Sequence, residues 1–460
     1  MELLSGFFEW IGQNEAVLSG IAASIVIVGV LFTPLGAGLR AVWRRRRPDD
    51  PSPASGDSLD DGGRPSIAVL PFATPSGEPR HEALANALAE DVINALGRVR
   101  HFDVIAHSAT AAYKGHSPDA QAVARDLGAR YTLEGSVRGL GDRIRVTLQL
   151  VAAHTRTPVW SDRHECALEG AEEAQDEISA RIAAELQPAV RRAEAESARR
   201  RPAAELGVWS LVNRAWVTVQ NALGSAEAAR AAVEDCSKAL ALDPDDALAH
   251  AVLAHARSLL LGLPDGGADV ESVRASIRRA VELGGHDPAV QHCYAAVLGN
   301  IGRTEDGIRA WERCLELDPF NAPARAGLGI AQIYVRQPEP ALANIDRALS
   351  LSPRDPLVYH WLAQRALACV VLGRYAEAAT SARESVERAG TRVGWGALAL
   401  AEAELGHDEA AREAWTELAA RTPGLDAERL APIIVQVCPD EAAAERTLSA
   451  MRKAAATAAG

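Results

Sequence analysis

Hydrophobic and polar positions follow two different patterns along this chain. Between residues 66 and 190, short apolar runs of strand length alternate with stretches of helical spacing. The pattern predicts strands at 67–72, 102–106, 130–137, 143–151 and 158–165, and helices at 81–97, 119–127 and 172–186. The glycine turn RGLGD separates two alternating runs and indicates a hairpin. We therefore predict one α/β domain at 66–190, with a mixed sheet and helices packed against it.

From residue 203 to residue 422 the apolar spacing is almost entirely helical, and it repeats. The segments ALALDPDDA, CLELDPFNA and ALSLSPRDP resemble one another, and Pro319 and Pro353 are 34 residues apart. In frames begun at Pro288 and Ala322, small residues occupy positions 8 and 20, where paired helices approach closely. The pattern resembles tetratricopeptide repeats, which have this period. About six are expected, with looser ones at 206–244, 247–285, 356–390 and 392–422, and capping helices at 426–455.

Stacked repeats of this kind form an all-α solenoid with a concave binding groove. The groove positions on the first helices of the repeats would include His292, Ala296, Ile330 and Ile333. These residues are mostly small or apolar, and no basic clamp for a peptide carboxylate accompanies them. We predict that a protein or peptide partner binds here, and that most of the tryptophans in the repeats serve packing.

The N-terminal region contains a stretch long enough to cross a bilayer. Residues 16–39 carry no charged side chain, and a membrane-spanning helix needs roughly 20 apolar residues. A buried helix of a soluble protein is the alternative, but polar sequence flanks this stretch on both sides. A cleaved signal peptide would have a positive start, whereas Glu2, Glu9 and Glu15 precede the stretch. We therefore predict a single transmembrane helix at 16–39.

The charges beside this predicted span set its orientation. Arg40 and the run Arg44–Arg47 follow it, and no Lys or Arg precedes it. The positive-inside rule then places the N-terminus outside and the rest of the chain in the cytoplasm, at the inner (plasma) membrane. Residues 40–65 are expected to be a basic flank and a flexible linker rich in Pro, Ser, Gly and Asp. A periplasmic location is the alternative.

Composition narrows the classes of partner. The formal net charge is −13, which argues against nucleic acid as the main partner because phosphate recognition needs clustered Lys and Arg. The six cysteines are scattered without a CxxC pair. They are therefore expected to be free thiols, which fits a reducing compartment.

No motif of catalytic chemistry stands out. The loop after SIAVLPF has one glycine, and the chain lacks GxGxxG, a Gly-Lys pair, GxSxG and HExxH. His164 and Cys166 would share a strand face, but two candidate ligands do not make a zinc site. We predict no catalytic residue, no cofactor and no metal site. A small-molecule ligand of the α/β domain cannot be assigned.

The first domain also resembles a known family. The segments SIAVLPF, AEDVINAL, FDVIA, AYKG, ARDLGARYTLEGSVRGLGDRIRVTLQLV, VWSDRHE and QDEISARIAAEL are similar, in this order, to the TolB-like N-terminal domain. Such domains are often joined to tetratricopeptide repeats in bacteria. They occur in proteins described as adenylate cyclases and in CadC-type regulators beside a winged helix. The resemblance implies no catalytic residues, and we expect no room in this chain for a cyclase or a winged helix.

The sequence therefore predicts an α/β plus all-α protein anchored in a bacterial membrane. The expected function is a protein-binding scaffold or adaptor without catalytic activity. The alternative is a sensory or regulatory accessory of an adenylate or guanylate cyclase signalling system, suggested by the neighbours of the TolB-like domain alone.

Overall fold

The structure is a computed structural model. It describes residues 63–98, 101–114, 120–167, 171–221, 225–261, 263, 268–422, 431–432, 434–435, 438 and 440–459. The chain divides into two compact units. One unit, here called the sheet unit, extends to Val217 and also contains Glu234–Ala249. The other, the repeat unit, contains Thr218–Val233 and the residues from His250 onwards.

The sheet unit contains a five-stranded mixed sheet, as predicted. Its strands are β1 (Ser66–Val69), β2 (Asp103–Val104), β3 (Tyr131–Leu140), β4 (Arg143–Ala152) and β5 (Thr157–Ala167), in the order β2-β1-β3-β4-β5. Strand β1 runs parallel to β2 and β3, and β3, β4 and β5 pair antiparallel. The inward face of β4 is apolar, with Ile144, Val146 and Leu148 almost fully buried. This alternation is what the sequence pattern indicated.

Four helices accompany the strands. They are α1 (Pro79–Gly97), α2 (His107–Thr110), α3 (Ala120–Leu127) and α4 (Ala171–Arg199). Helix α1 packs against β1, β2, β3 and α4, and α4 also packs against β5. Val123 of α3 forms a separate buried cluster with Ala68, Leu70 and Ala129. The short helix α2 was absent from the sequence prediction.

The first strand is shorter than predicted. The sequence predicts a strand over 67–72, but β1 ends at Val69. Pro71 has no N–H to donate to a neighbouring strand, so a regular ladder cannot continue through it. The chain returns to the sheet two residues later, where Ala73 N donates to Gly135 O at 2.8 Å and Val137 N donates to Ala73 O at 2.8 Å.

Helix α4 is longer than predicted. The sequence predicts a helix over 172–186, and the observed helix continues through Pro188 to Arg199. A proline inside a helix removes one hydrogen bond. Burial of Ala189, Val190 and Ala195 beyond the proline offsets this loss.

Twelve helices follow in the described residues between 203 and 422, and no strand occurs among them. They are α5 (Val208–Asn221), α6 (Ala226–Leu242), α7 (Ala247–Ser258), α8 (Val270–Gly284), α9 (Pro288–Asn300), α10 (Thr304–Leu317), α11 (Ala322–Tyr334), α12 (Pro338–Leu351), α13 (Val358–Val371), α14 (Tyr375–Arg388), α15 (Arg392–Glu404) and α16 (Asp408–Ala420). From α9 onwards each helix packs against the next one in the chain. The region is a tetratricopeptide-like array of helix pairs.

Close contact inside the pairs explains the small residues at positions 8 and 20. A Cβ added to Gly329, at position 8, would lie 2.8 Å from the carbonyl oxygen of Ala341, at position 20. A Cβ on Gly307 would lie 3.2 Å from the carbonyl oxygen of Ala295, in the corresponding pair. The backbones of paired helices therefore approach too closely for larger side chains at these positions.

The turn inside each of these pairs needs a left-handed residue. Gly302, Gly373 and Gly406 occupy the turns with φ of 78°, 71° and 76°. Arg336 stands at the equivalent place with φ of 59°. Positive φ is strained for a residue with a Cβ, so one repeat carries backbone strain that its neighbours avoid.

The last helix closes the described chain. Helix α17 (Glu441–Ala459) packs against α15 and α16. The sequence predicts capping helices at 426–455, and this role stays a prediction. The predicted transmembrane helix at 16–39 and nearly all of the linker at 40–65 lie outside the described residues. Within the described ranges, no helix combines the length and apolar character that crossing a membrane requires.

Candidate functional site on the repeat helices

The four predicted groove residues lie on α9 and α11, the first helices of two neighbouring pairs. His292 is buried in α9, with 4% of its surface exposed. Its ring meets the Trp311 ring edge-to-face with centroids 4.7 Å apart. The side-chain amide nitrogen of Gln220 donates to His292 Nε2 at 2.7 Å, which requires a lone pair on that ring nitrogen. The imidazole is thus held between Gln220 and Trp311.

The other three predicted residues differ in their exposure. Ala296 is half-buried and packs against the cluster that contains Trp311. Ile330 on α11 is also half-buried, whereas Ile333, one turn later, is fully buried. Any direct contact with a partner at these positions would therefore fall mainly on Ala296 and Ile330. The assignment of the four residues to a binding groove stays a prediction.

Helices α9, α11, α13 and α15 form one layer of the array. Each of them contacts the next, although one helix of the chain intervenes between each two. Such a layer brings corresponding positions of successive repeats side by side, as in other repeat proteins. Apolar, partly exposed side chains on it can bind a partner by packing, but they cannot transfer protons or attack a bond.

His164 and Cys166 do share a face of β5, as the strand pattern predicted. His164 Nε2 lies 2.7 Å from Asp162 Oδ2. Burial raises the pKa of the Cys166 thiol, which disfavours the reactive thiolate. Among the residues that the structure describes, no group of three or more His, Cys, Asp and Glu side chains is placed to hold a metal ion.

His250 and His255 both lie on α7, but at five residues apart they do not share one face of the helix. His255 is buried on α7, and its burial lowers its pKa to about 4. Desolvation of the charged imidazolium is the cause. The side chain therefore behaves as a neutral core residue at neutral pH.

The sequence matches a family model and, separately, a curated protein. Residues 63–183 match the family model described as "HilA/YgeH-like transcriptional regulator, second domain". This match covers the five strands of the sheet unit and the first part of α4, up to residue 183. The resemblance to TolB-like domains stays a prediction, since the matching model carries another description.

A curated protein of Rhizobium meliloti (strain 1021), named "Putative adenylate cyclase 3", is 32% identical to this chain over 257 residues. The match covers 54% of this chain and 42% of the relative. The chain therefore spans less than half the length of the curated relative that it matches.

Two solved structures are similar to part of this chain. PilF of Pseudomonas aeruginosa is 16% identical with a TM-score of 0.37, covering 50% of this chain and 95% of that protein. YrrB, whose structure is described as a TPR protein with an unusual peptide-binding site, is 20% identical with a TM-score of 0.31. That likeness covers 42% of this chain and 94% of YrrB.

Proposed function

We propose that this protein is a scaffold or adaptor that binds a protein or peptide partner through its repeat helices and has no catalytic activity of its own. The observation that supports the proposal is the continuous layer formed by α9, α11, α13 and α15. Repeat arrays built in this way present extended surfaces whose use is binding.

The partner we expect carries apolar side chains in an extended or helical segment. Ile330 and Ala296 offer partly exposed apolar surface on neighbouring helices of the layer. A segment that packs on them would gain affinity mainly from the burial of apolar area.

Quantitative affinity purification of the full chain tests this proposal. Ala296→Arg and Ile330→Arg each introduce a charge that a docked apolar segment would have to bury. Ala343→Arg is the matched control, because Ala343 is exposed on α12. We expect wild type and Ala343→Arg to recover the same partner in equal amounts. The two test variants should recover at least tenfold less of it, and their helical circular dichroism should be unchanged. Equal recovery by all four proteins would contradict the proposal.

A second candidate function rests on the relative named as an adenylate cyclase. We propose, as the alternative, that the chain is a sensory or regulatory accessory of a nucleotide-cyclase system. The 32% identity over 257 residues supports it. Deletion of the gene should then change cellular cyclic AMP or cyclic GMP, while the purified chain produces neither from ATP or GTP. Cyclic nucleotide formed by the purified chain would contradict both proposals.

We further propose that residues 16–39 anchor the protein in the inner membrane with its later part in the cytoplasm. The five arginines Arg40 and Arg44–Arg47 on one side, against three acids on the other, support this orientation. Moving the arginines outward would oppose the insertion bias and the membrane potential. Green fluorescent protein fused after Gly460 should fluoresce, and alkaline phosphatase fused there should stay inactive. The reverse result would favour the periplasm.

A further inference from the structure

A small pocket opens in the sheet unit. Its volume is about 320 Å³. Strand β5 and helix α4 line it, and these two elements pack against each other. The lining residues are Arg163, His164, Glu165 and Cys166 from β5 and Glu177, Ile178 and Arg181 from α4.

Most of the charges around this pocket are already compensated. Arg145 Nε donates to Glu165 Oε1 at 2.8 Å, and this hydrogen bond holds the pKa of Glu165 below its usual value. Arg143 and Arg163 lie 3.7 and 4.0 Å from the same carboxylate. His164 is buried next to Asp162, 2.7 Å away. Glu165 therefore has cationic partners within the fold, whereas His164 and Asp162 lie side by side without a hydrogen bond between His164 Nε2 and Asp162 Oδ2.

Arg181, unlike Glu165 and His164, has no oppositely charged group beside it among the described residues. Its Nε is fully buried and has no hydrogen-bond partner. Glu177 stands one turn earlier on α4, a spacing that often supports an ion pair, yet no carboxylate of a described residue pairs with Arg181. Burying part of a guanidinium without a partner costs free energy. Arg181 as a whole is only half-buried, so an anion in the pocket would meet the outer nitrogens of the guanidinium and offset this cost by its charge.

We propose that this pocket binds a small anion, with a carboxylate or phosphate group held by Arg181. The planar guanidinium matches both groups, because it can donate two parallel hydrogen bonds to them. The volume lies at the lower end of the range for ligand sites, roughly 300–1,000 Å³, so a small metabolite or a single anionic group fits best. This inference concerns the sheet unit and does not depend on the scaffold function.

Cys166 provides a natural reporter of occupancy. It lines the pocket and is half-buried, whereas the other five cysteines, all within the described ranges, are buried. A neutral maleimide should therefore label Cys166 in the folded full chain before the others. An anion in the pocket should shield the thiol and slow this labelling.

The first experiment uses the wild-type full chain at constant pH and ionic strength. N-ethylmaleimide labelling of Cys166, quantified by peptide mass spectrometry, is followed in increasing sodium phosphate, sodium acetate or sodium chloride. We expect saturable protection of at least threefold in phosphate or in acetate relative to chloride. The effective salt identifies which of the two groups the pocket prefers. Identical labelling rates in all three salts would overturn the proposal.

The second experiment tests the role of Arg181. Arg181→Gln should abolish the protection, and Arg181→Lys should weaken it at least threefold because a point charge replaces the planar fork. Arg199→Gln is the matched control, since Arg199 is exposed on the same helix and pairs with Glu196. It should retain full protection. Should Arg181→Gln not fold, Arg181→Lys and the wild-type titration decide the matter. Protection of Arg181→Gln or Arg181→Lys equal to wild type would exclude Arg181 as the anion-binding group.

Discussion

The sheet unit and the repeat unit differ in the sequence separation of the contacts inside them. In the sheet unit, β1 pairs with residues from Asp103 onward and from Tyr131 onward, and Arg130 binds Glu194. In the repeat unit, a Cβ added to Gly329 would meet the carbonyl oxygen of Ala341, only twelve positions later. Local contacts repeat in the sequence and can be recognised there, whereas distant pairings leave no periodic signal.

The largest effect is expected in the sheet unit, when an interaction between residues far apart in the sequence is removed. Arg130 Nη1 donates to Glu194 Oε2 and the Tyr131 hydroxyl donates to Oε1, each at 2.8 Å. Glu194→Leu leaves a buried guanidinium with one carboxylate fewer, which should cost about 3–5 kcal/mol of unfolding free energy. Urea unfolding measures the loss, and hydrogen exchange should locate it at the start of β3.

Glu196→Leu is the matched control for this change. Glu196 is exposed on the same helix and lies 3.5 and 3.4 Å from Arg199 and Arg200. Exposed pairs of this kind contribute about 0–1 kcal/mol, so little change is expected. Equal losses of unfolding free energy in the two variants would mean that the buried pair stabilises the sheet unit no more than the exposed pair does.

A steric change between paired helices should disturb the repeat unit locally. The Cβ of Gly329→Ala would lie 2.8 Å from both Ala341 O and Ile345 Cγ1, and such overpacking should cost about 2–3 kcal/mol. Gly396→Ala is the control, because its nearest contact would be an ordinary 3.8 Å. It should be neutral or stabilising by up to about 1 kcal/mol, as alanine favours helix. Faster hydrogen exchange confined to α11, α12 and their neighbours would support local coupling, and equally faster exchange throughout the array would contradict it.

Acid should weaken the repeat unit through His255. Its pKa is about 4 in the folded chain, whereas an unfolded histidine has a pKa of about 6.5. Between these values the unfolded chain binds a proton that the folded chain does not, so stability falls as pH falls through this window. His255→Phe should reduce the stability lost between pH 7 and pH 5 by about 2 kcal/mol. Urea unfolding of both proteins at both pH values checks this, and an unchanged loss would show that another group is responsible.

The smallest effect is expected at the strained turn. Arg336→Gly removes the Cβ from a left-handed residue and should stabilise the repeat unit by about 0.5–1 kcal/mol. The loss of the hydrogen bond from Arg336 Nη2 to Val435 O, 2.9 Å long, will offset part of this gain. Gly302→Arg is the reciprocal variant and should destabilise by about 1 kcal/mol. Thermal unfolding measures the change in stability of both variants. Changes of the same sign would contradict the claim that a left-handed turn residue with a Cβ is strained.

The features of the fold that could be predicted are those that leave a regular pattern in the local sequence. The helix pairs were predictable because position 8 and position 20, as at Gly329 and Ala341, must be small in every close pair. The end of β1 at Val69 follows from Pro71, whose missing N–H the apolar pattern over 67–72 does not register. The extension of α4 past Pro188 depends on the burial of Ala189, Val190 and Ala195, which the local pattern does not show.

The binding positions were harder to predict than the helices that carry them. Helical spacing predicts His292 and Ile333 as groove positions, and this assignment stays a prediction. The structure adds that both side chains are buried and that the His292 ring packs against Trp311. Arg181 was not predicted as a binding residue. It follows Glu177 by one turn and resembles a member of an ordinary surface ion pair, and only the structure reveals that its Nε is buried without a partner.

The most direct test of the scaffold function is site-specific photo-crosslinking in the cells that produce this protein. Benzoylphenylalanine is placed at Ile330 on α11 in one full-length protein and at Ala343 on α12 in another, with equal expression of both. Our account predicts one discrete protein adduct from position 330, absent from position 343 and lost when Ala296→Arg is added. No adduct at position 330, or the same adduct from both positions, would contradict the claim that this layer of repeat helices binds the partner.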